Sequence, residues 1–212
     1  MATDLIEINP EQPEPSAIER AAAAIRRGEV VAIPTDALYV LVADPFNLAA
    51  VGRVFQAKGR EPQRSLPILV SDLLMAEDLV REITSRFQLL ARRFWPGSLT
   101  IITEASPSIP LRVTGHTGRL ALRHSRSPVA NALLEWLAQP LIATSANISG
   151  SPTCRSGIEV FGMMDGRVNL VLDGGLCPGA GSTTIDITEP YWRVIKRGAI
   201  DEREIAEVLK GR

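Results

Sequence analysis

Short apolar runs alternate along the chain with stretches in which apolar residues recur every three or four positions. The first pattern predicts strands and the second predicts helices. "AIERAAAAIRR" has the helical spacing, with Ser16 and Glu19 placed as a capping box at its start and Gly28 as its stop. "EVVAI" follows as a buried strand that breaks at Pro34, Thr35 and Asp36, where a second apolar run, "ALYVLVA", begins at once. Asn47 stands ready to cap "LAAVGRVFQAK" and Gly59 to end it, which leaves Lys58 and Arg60 at the helix exit before the strand "SLPILV".

Farther along, "TSRFQLLARRFW" predicts a helix closed by Pro96 and Gly97, with Trp95 as its anchor in the core. "LTIIT" and "GRLALR" predict strands, and "SPVANALLEWLAQ" an amphipathic helix before the strand "PLIAT". The last third holds "VNLVLDGG", "STTIDIT" and "WRVIKRG" as strands and "DEREIAEVLK" as a final helix. No repeat or low-complexity linker interrupts the series, so residues 1–212 are expected to form a single α/β domain. The last two strands have no helix between them, which predicts a twisted, mixed parallel and antiparallel sheet with flanking helices.

Composition narrows the function classes. Hydrophobic residues make up 45% and charged residues 22% of the chain, an ordinary globular balance. With 23 Lys and Arg against 24 Asp and Glu, there is no global positive field, so any nucleic-acid contact must be local. "ALYVLVA" is far shorter than the roughly 20 residues a bilayer span needs. "MATDLIEINPEQPEPS" lacks the basic and apolar regions of a secretory signal, so a cytoplasmic protein with no membrane partner is expected. Cys154 and Cys177 have no CxxC spacing and are expected to be reduced structural thiols. His116 and His124 have no partner at ligand spacing, which argues against a protein-built metal site or a His dyad.

Polar clusters fall at the predicted strand ends, where open α/β sheets build their sites: "PTDALY", "KGREPQR", "LALRHSR", "TSANISG", and "GAGST" with "IKRG" beyond it. Lys58, Arg60, Arg64, Arg123 and Arg197 supply cations there, and Thr35, Ser145, Asn147, Ser149 and Ser182 supply neutral donors. Such a set suits a phosphate-bearing ligand. Each cluster also has a plainer reading. Lys58 and Arg60 suit a solvated helix C-terminus, "TSANISG" a turn, and "GGLCPGAGST" a flexible hairpin loop. Arg26, Arg27, Arg92 and Arg93 read as solvated faces.

Eight stretches in order, "PTDALYVL", "AKGREPQRSLPILV", "RFWPGSLTII", "LALRHSRSPVANALLE", "PLIATSANISG", "VNLVLDGG", "STTIDIT" and "VIKRGAI", resemble the YrdC family, which includes the threonylcarbamoyl-adenylate synthases. The resemblance runs from about Ala17 to Ile200. It implies helices and a mixed sheet around a large, positively charged cavity, and condensation of L-threonine, bicarbonate and ATP into threonylcarbamoyl-AMP and pyrophosphate. Magnesium would arrive with ATP, and the product would serve the threonylcarbamoyladenosine modification of tRNA, making tRNA or its modification machinery a further partner. By the same resemblance Lys58 and Arg60 act on the phosphates as catalytic residues, and Arg64, Ser145, Asn147, Thr153 and Arg197 complete the ATP side. Thr35, Tyr39, Arg123, Ala143 and Ser182 form the amino-acid side, with Arg123 meeting the carboxylate.

Departures from the family pattern gather at that second side. Ala37 stands where the family has Thr, Val40 where it has Gly and Leu69 where it has His, whereas Arg64 and Thr153 are replacements that keep polar contact. Arg123 is followed by His124 and Ser125 in place of the usual "RxP". Two other readings stay open: a non-catalytic paralogue that holds a nucleotide or an RNA end, and an adenylating enzyme for another small amino acid.

Overall fold

In chain order the elements are β1 (Asp4–Glu7), α1 (Pro15–Arg26), β2 (Val31–Ile33), β3 (Val40–Ala43), α2 (Leu48–Lys58), β4 (Ile68–Leu69), α3 (Leu73–Glu77), α4 (Ser85–Phe94), β5 (Leu99–Glu104), β6 (Arg119–Arg123), α5 (Pro128–Leu137), β7 (Leu141–Ser145), α6 (Gly157–Met164), β8 (Leu170–Asp173), β9 (Thr183–Asp186), β10 (Arg193–Lys196) and α7 (Glu202–Lys210). They come from a computed structural model that describes residues 2–61 and 63–210. Pro62, inside the "KGREPQR" stretch, lies outside the described residues.

Local chemistry sets the helix ends. The Asn47 side chain accepts from the N–H groups of Ala49 and Ala50 at 3.1 Å each, and Gly59, at φ 56°, closes α2 in the left-handed conformation. The expected capping box at Ser16 does not form. α1 starts two residues earlier at Pro15, with Glu14 as its N-cap and no side-chain cap, because proline's fixed φ suits the first helical position without one. "SLPILV" contributes only Ile68 and Leu69 to the sheet. Pro67 has no N–H to give to a ladder, and Leu66 bonds instead to the Val113 carbonyl at 2.8 Å.

One sheet takes all these strands in the order β1-β8-β2-β3-β7-β4-β6-β5-β9-β10. It is mixed. β1 with β8, β2 with β8, β4 with β6, and β5 with β9 are parallel. β2 with β3, β3 with β7, β4 with β7, β5 with β6, and β9 with β10 are antiparallel. Side chains alternate between faces, so the two faces bury different sets. Leu41, Ile68, Ile101, Leu122 and Ile185 pack under α2, α4, α6 and α7. Val31, Ile33, Val42, Leu141 and Leu170 pack under α1 and α5. From β4 to β10 that second face carries the lining of a cavity in place of a helical cover. Among the described residues no helix is long and apolar enough to cross a membrane.

The two helix starts can be told apart by mutation. Asn47→Ala is expected to cost about 1 kcal/mol, and Ser16→Ala, at an exposed position with no cap to lose, less than about 0.5 kcal/mol. Paired urea unfolding curves check this, and equal losses at both positions would contradict the assigned helix starts.

Candidate functional site

The cavity has a volume of about 330 Å³ and opens where the Pro34 to Asp36 break, β4, β6, β7 and the 181–184 segment converge. The polar break therefore forms its rim. Thr35 Oγ1 donates to the Leu38 carbonyl at 2.6 Å and accepts from the N–H groups of Ala37 and Leu38 at 3.1 Å each, which folds the turn on itself. Asp36 reaches across to β6. Its Oδ1 accepts from Arg123 Nη2 at 2.6 Å and also from the Ser125 hydroxyl. Arg123 Nε donates to the Gly97 carbonyl at 2.9 Å, so the guanidinium is fixed on two sides. Burial pushes the Arg123 pKa down, and Asp36 works against that shift.

At the opposite wall, Lys58 leaves the last turn of α2 and turns inward. Its Nζ lies 2.5 Å from the Ser145 carbonyl, 2.9 Å from the Asn147 carbonyl and 3.1 Å from Asn147 Oδ1. Burial lowers the Lys58 pKa to about 8, with the neighbouring Arg60 charge pushing the same way. Ser145 Oγ donates to Asn147 Oδ1 at 2.6 Å, and Asn147 Nδ2 to the Ser151 carbonyl at 2.7 Å. Arg60 projects into the cavity, where Nη1 donates to Thr144 Oγ1 at 3.2 Å and Nη2 to the Ser65 carbonyl at 3.0 Å. Its Nε is buried with no hydrogen-bond partner. Burial, followed by the Arg64 charge, lowers the Arg60 pKa.

The structure gathers Thr35, Arg60, Arg123, Ala143, Ser145 and Ser182 around one cavity. Lys58 and Asn147 are buried behind Ser145 and support it without lining the space. Arg64 and Thr153 are exposed and stand outside the lining. Tyr39 faces away from it. In the turn leading into β3, Leu38 and then Val40 face the cavity and Tyr39 faces the other way, where its hydroxyl accepts from Gly174 N–H at 3.0 Å and lies 2.8 Å from the Gly175 carbonyl. Burial raises its pKa.

Arg197 is also placed elsewhere. Its side chain is 89% exposed, pairs with Glu202 at 3.5 Å and lines a separate crevice with Trp192 and Arg203. Lys196 occupies the cavity in its place. A register shift between Val194 and Lys196 breaks the alternation, pairing Val194 with the core residue Ile185 and Lys196 with the cavity residue Thr184. Sequence alternation cannot reveal such a flip. Ser65, Thr100, Thr144 and Thr184 also line the cavity, and the Thr residues lie inside strands that read as structural. Arg60, Arg123 and Lys196 supply its cations, and among the described residues no carboxylate lines it. No group of three or more His, Cys, Asp or Glu among the described residues is arranged to hold a metal ion. Cys154 and Cys177 are free and buried.

Fold and cavity together define an α/β protein with arginine, lysine and hydroxyl groups around one cavity. The model of the Sua5/YciO/YrdC family, described as telomere recombination, matches residues 23–198, and the chain belongs to that family. The chain is 37% identical over 193 residues to the threonylcarbamoyl-AMP synthase of Pyrococcus abyssi, covering 91% of this chain and 57% of that protein. It therefore spans little more than half of that relative's length. The crystal structure of P. abyssi Sua5 complexed with L-threonine superposes with a TM-score of 0.94 at 36% identity, over 98% of this chain and 61% of that one. E. coli YciO superposes with a TM-score of 0.87 at 25% identity, over 94% and 97% of the two chains.

The Lys58 environment sets a pH dependence. Above about pH 8 the ammonium loses its proton, so one donor and one positive charge disappear beside Ser145 and Arg60. Affinity of the cavity for a polyphosphate is expected to fall as pH rises through that value, and Lys58→Met to remove the inflection. Calorimetry with ATP across the range checks it; a wild-type affinity flat through pH 8 would contradict the placement.

Proposed function

We propose that this chain makes threonylcarbamoyl-AMP, condensing L-threonine, bicarbonate and ATP with release of pyrophosphate, as the names of its relatives suggest. The lining of the cavity carries this reading: Arg60, Arg123 and Lys196 surround it together with seven hydroxyl side chains (Thr35, Ser65, Thr100, Thr144, Ser145, Ser182 and Thr184). In this reading the chain acts as one YrdC-like domain. Its product would serve tRNA threonylcarbamoyladenosine modification, with tRNA or the modification machinery as downstream partner, in the cytoplasm.

The chemistry needs little more than position and charge. A carbamate oxygen of N-carboxythreonine attacks the α-phosphorus of ATP, a new P–O bond forms, and the bond to pyrophosphate breaks. No covalent enzyme nucleophile takes part. Negative charge on the phosphate oxygens and on departing pyrophosphate calls for preorganised donors in a site that excludes water. Arg60 is suited to that work, since its Nε is buried without a partner. Ser145 presents a further hydroxyl to the cavity, held by Lys58 and Asn147. Arg123, anchored by Asp36, suits the amino-acid carboxylate. Magnesium would neutralise the ATP phosphates as part of the substrate.

A second reading, a non-catalytic paralogue holding a nucleotide or RNA end, is favoured by one observation. The Lys58 ammonium is engaged by oxygens of the 145–147 turn and turned away from the cavity lining. Incubation with ATP, magnesium, bicarbonate and threonine, read by mass spectrometry for adenylate and pyrophosphate, separates the two. ATP-dependent thermal protection without pyrophosphate would support the paralogue.

Arg60→Ala is expected to cost about 1.5–3 kcal/mol of transition-state stabilisation, a fall of roughly tenfold to hundredfold in kcat/KM, with little change in melting temperature. Pyrophosphate release at the wild-type rate would remove Arg60 from the proposed role. Asp36→Asn, which releases Arg123 from its ion pair, is expected to raise KM for the amino acid and leave that for ATP unchanged. Steady-state kinetics with each substrate varied in turn would show it, and an ATP-side effect of equal size would contradict the assignment.

A further inference from the structure

The walls of the cavity differ on the two sides of Arg123. β6 pairs with β4 so that Leu69 lies beside Arg123, and Ala121 is the next residue along β6 on the same face. Beyond β4, Ala143 joins the wall, its N–H bonded to the Pro67 carbonyl at 2.8 Å, and Val40 and Ala37 complete it. On the other side, the β5–β6 register continued by one step sets Thr100 opposite Arg123, and Thr184 and Lys196 follow in the next two strands. Arg123 thus stands between an apolar strip, Leu69, Ala121 and Val40, and a more polar one on β5, β9 and β10, where Ile102 also lines the cavity.

Three of the hydroxyls on the apolar side have partners within the protein. A hydroxyl donates one hydrogen bond and accepts two. Thr35 Oγ1 makes all three inside its own turn. Thr144 Oγ1 accepts from Arg60, and Ser145 Oγ donates to Asn147. On the polar side Thr100 and Ser182 bond each other at 2.9 Å. A carboxylate on Arg123 and a reacting carbamate turned toward Arg60 leave the apolar wall of Ala37, Val40, Leu69 and Ala121 for the amino acid's side chain.

We propose, on the reading of this cavity as an adenylate-forming site, that the amino-acid end selects a small β-branched side chain by shape and does not read the threonine hydroxyl, so that valine is a substrate alongside threonine. The wall that does this is Ala37, Val40, Leu69 and Ala121. An apolar pocket discriminates between a methyl and a hydroxyl of the same shape by at most about a hundredfold, whereas a site built to hydrogen-bond the hydroxyl rejects its isostere by about 10⁴-fold or more. Serine, which lacks the methyl group, loses about tenfold or more by the same reasoning.

The test compares threonine, valine, serine and leucine at equal concentration with ATP, magnesium and bicarbonate, reading each adenylate by mass and pyrophosphate by rate. In parallel, thermal shift with a non-hydrolysable ATP analogue reports amino-acid binding without turnover. The expected result is valine within about tenfold of threonine in kcat/KM, with comparable thermal shifts. Threonine ahead of valine by more than about a thousandfold would overturn the inference while leaving the synthase reading intact. Equal thermal shifts without pyrophosphate would uphold the shape-selective wall and sink the synthase reading, and no shift and no turnover with any amino acid would sink both. Ala37→Ser, which places a hydroxyl in the wall, is expected to raise the threonine-to-valine ratio about tenfold. A ratio unchanged in that variant would show that the side chain does not meet this wall.

Discussion

A single buried ammonium holds the Arg60 and Ser145 side of the cavity together. Lys58 sits at the end of α2, 3% exposed, with backbone and side-chain oxygens of Ser145 and Asn147 around its Nζ. A charge taken out of water is tolerated only when its donors are satisfied. The helix exit must therefore stay docked on the turn after β7, and the Ser149 N–H returns a bond to the Lys58 carbonyl at 2.8 Å. That docking fixes where Arg60 leaves the helix and where Ser145 faces. Two of the polar groups that line the cavity thus have their positions set by a third that does not.

The Arg123 side of the cavity rests on an ion pair. Asp36 comes from the break after β2 and Arg123 from the end of β6, so their contact at 2.6 Å closes the cavity across the sheet. Here the pairing leaves the cation at the wall. Arg123 lines the cavity while Asp36 stands behind it, so the carboxylate orients the guanidinium without lining the space. The two sides work alike: in each, a group that does not line the cavity determines the direction of one that does.

Much of this was legible in the sequence, and the exceptions have physical causes. Asn47, Gly59 and most of the strand and helix series followed from capping and periodicity, though not the short helices α3 and α6, and the ordered motifs carried the family. Ser16 misled because Pro15 starts the helix without a cap. Lys196 was hidden by the register shift in β10, which reverses the facing that alternation predicts, and its neighbour Arg197 took its place in the motif reading. Tyr39 belonged to the right turn and the wrong face. Thr100 and Thr184 gave no signal, because a threonine inside an apolar strand reads as β-propensity until the sheet shows which face is open.

The most direct test of the cavity as a nucleotide and amino-acid site is a crystal structure with a non-hydrolysable ATP analogue and threonine bound together. Density for phosphate within hydrogen-bonding distance of Arg60 and Ser145, with the amino-acid carboxylate on Arg123, is the predicted result. Nucleotide bound instead in the separate crevice of Arg27, Arg53 and Arg167, with the cavity holding neither ligand, would contradict it.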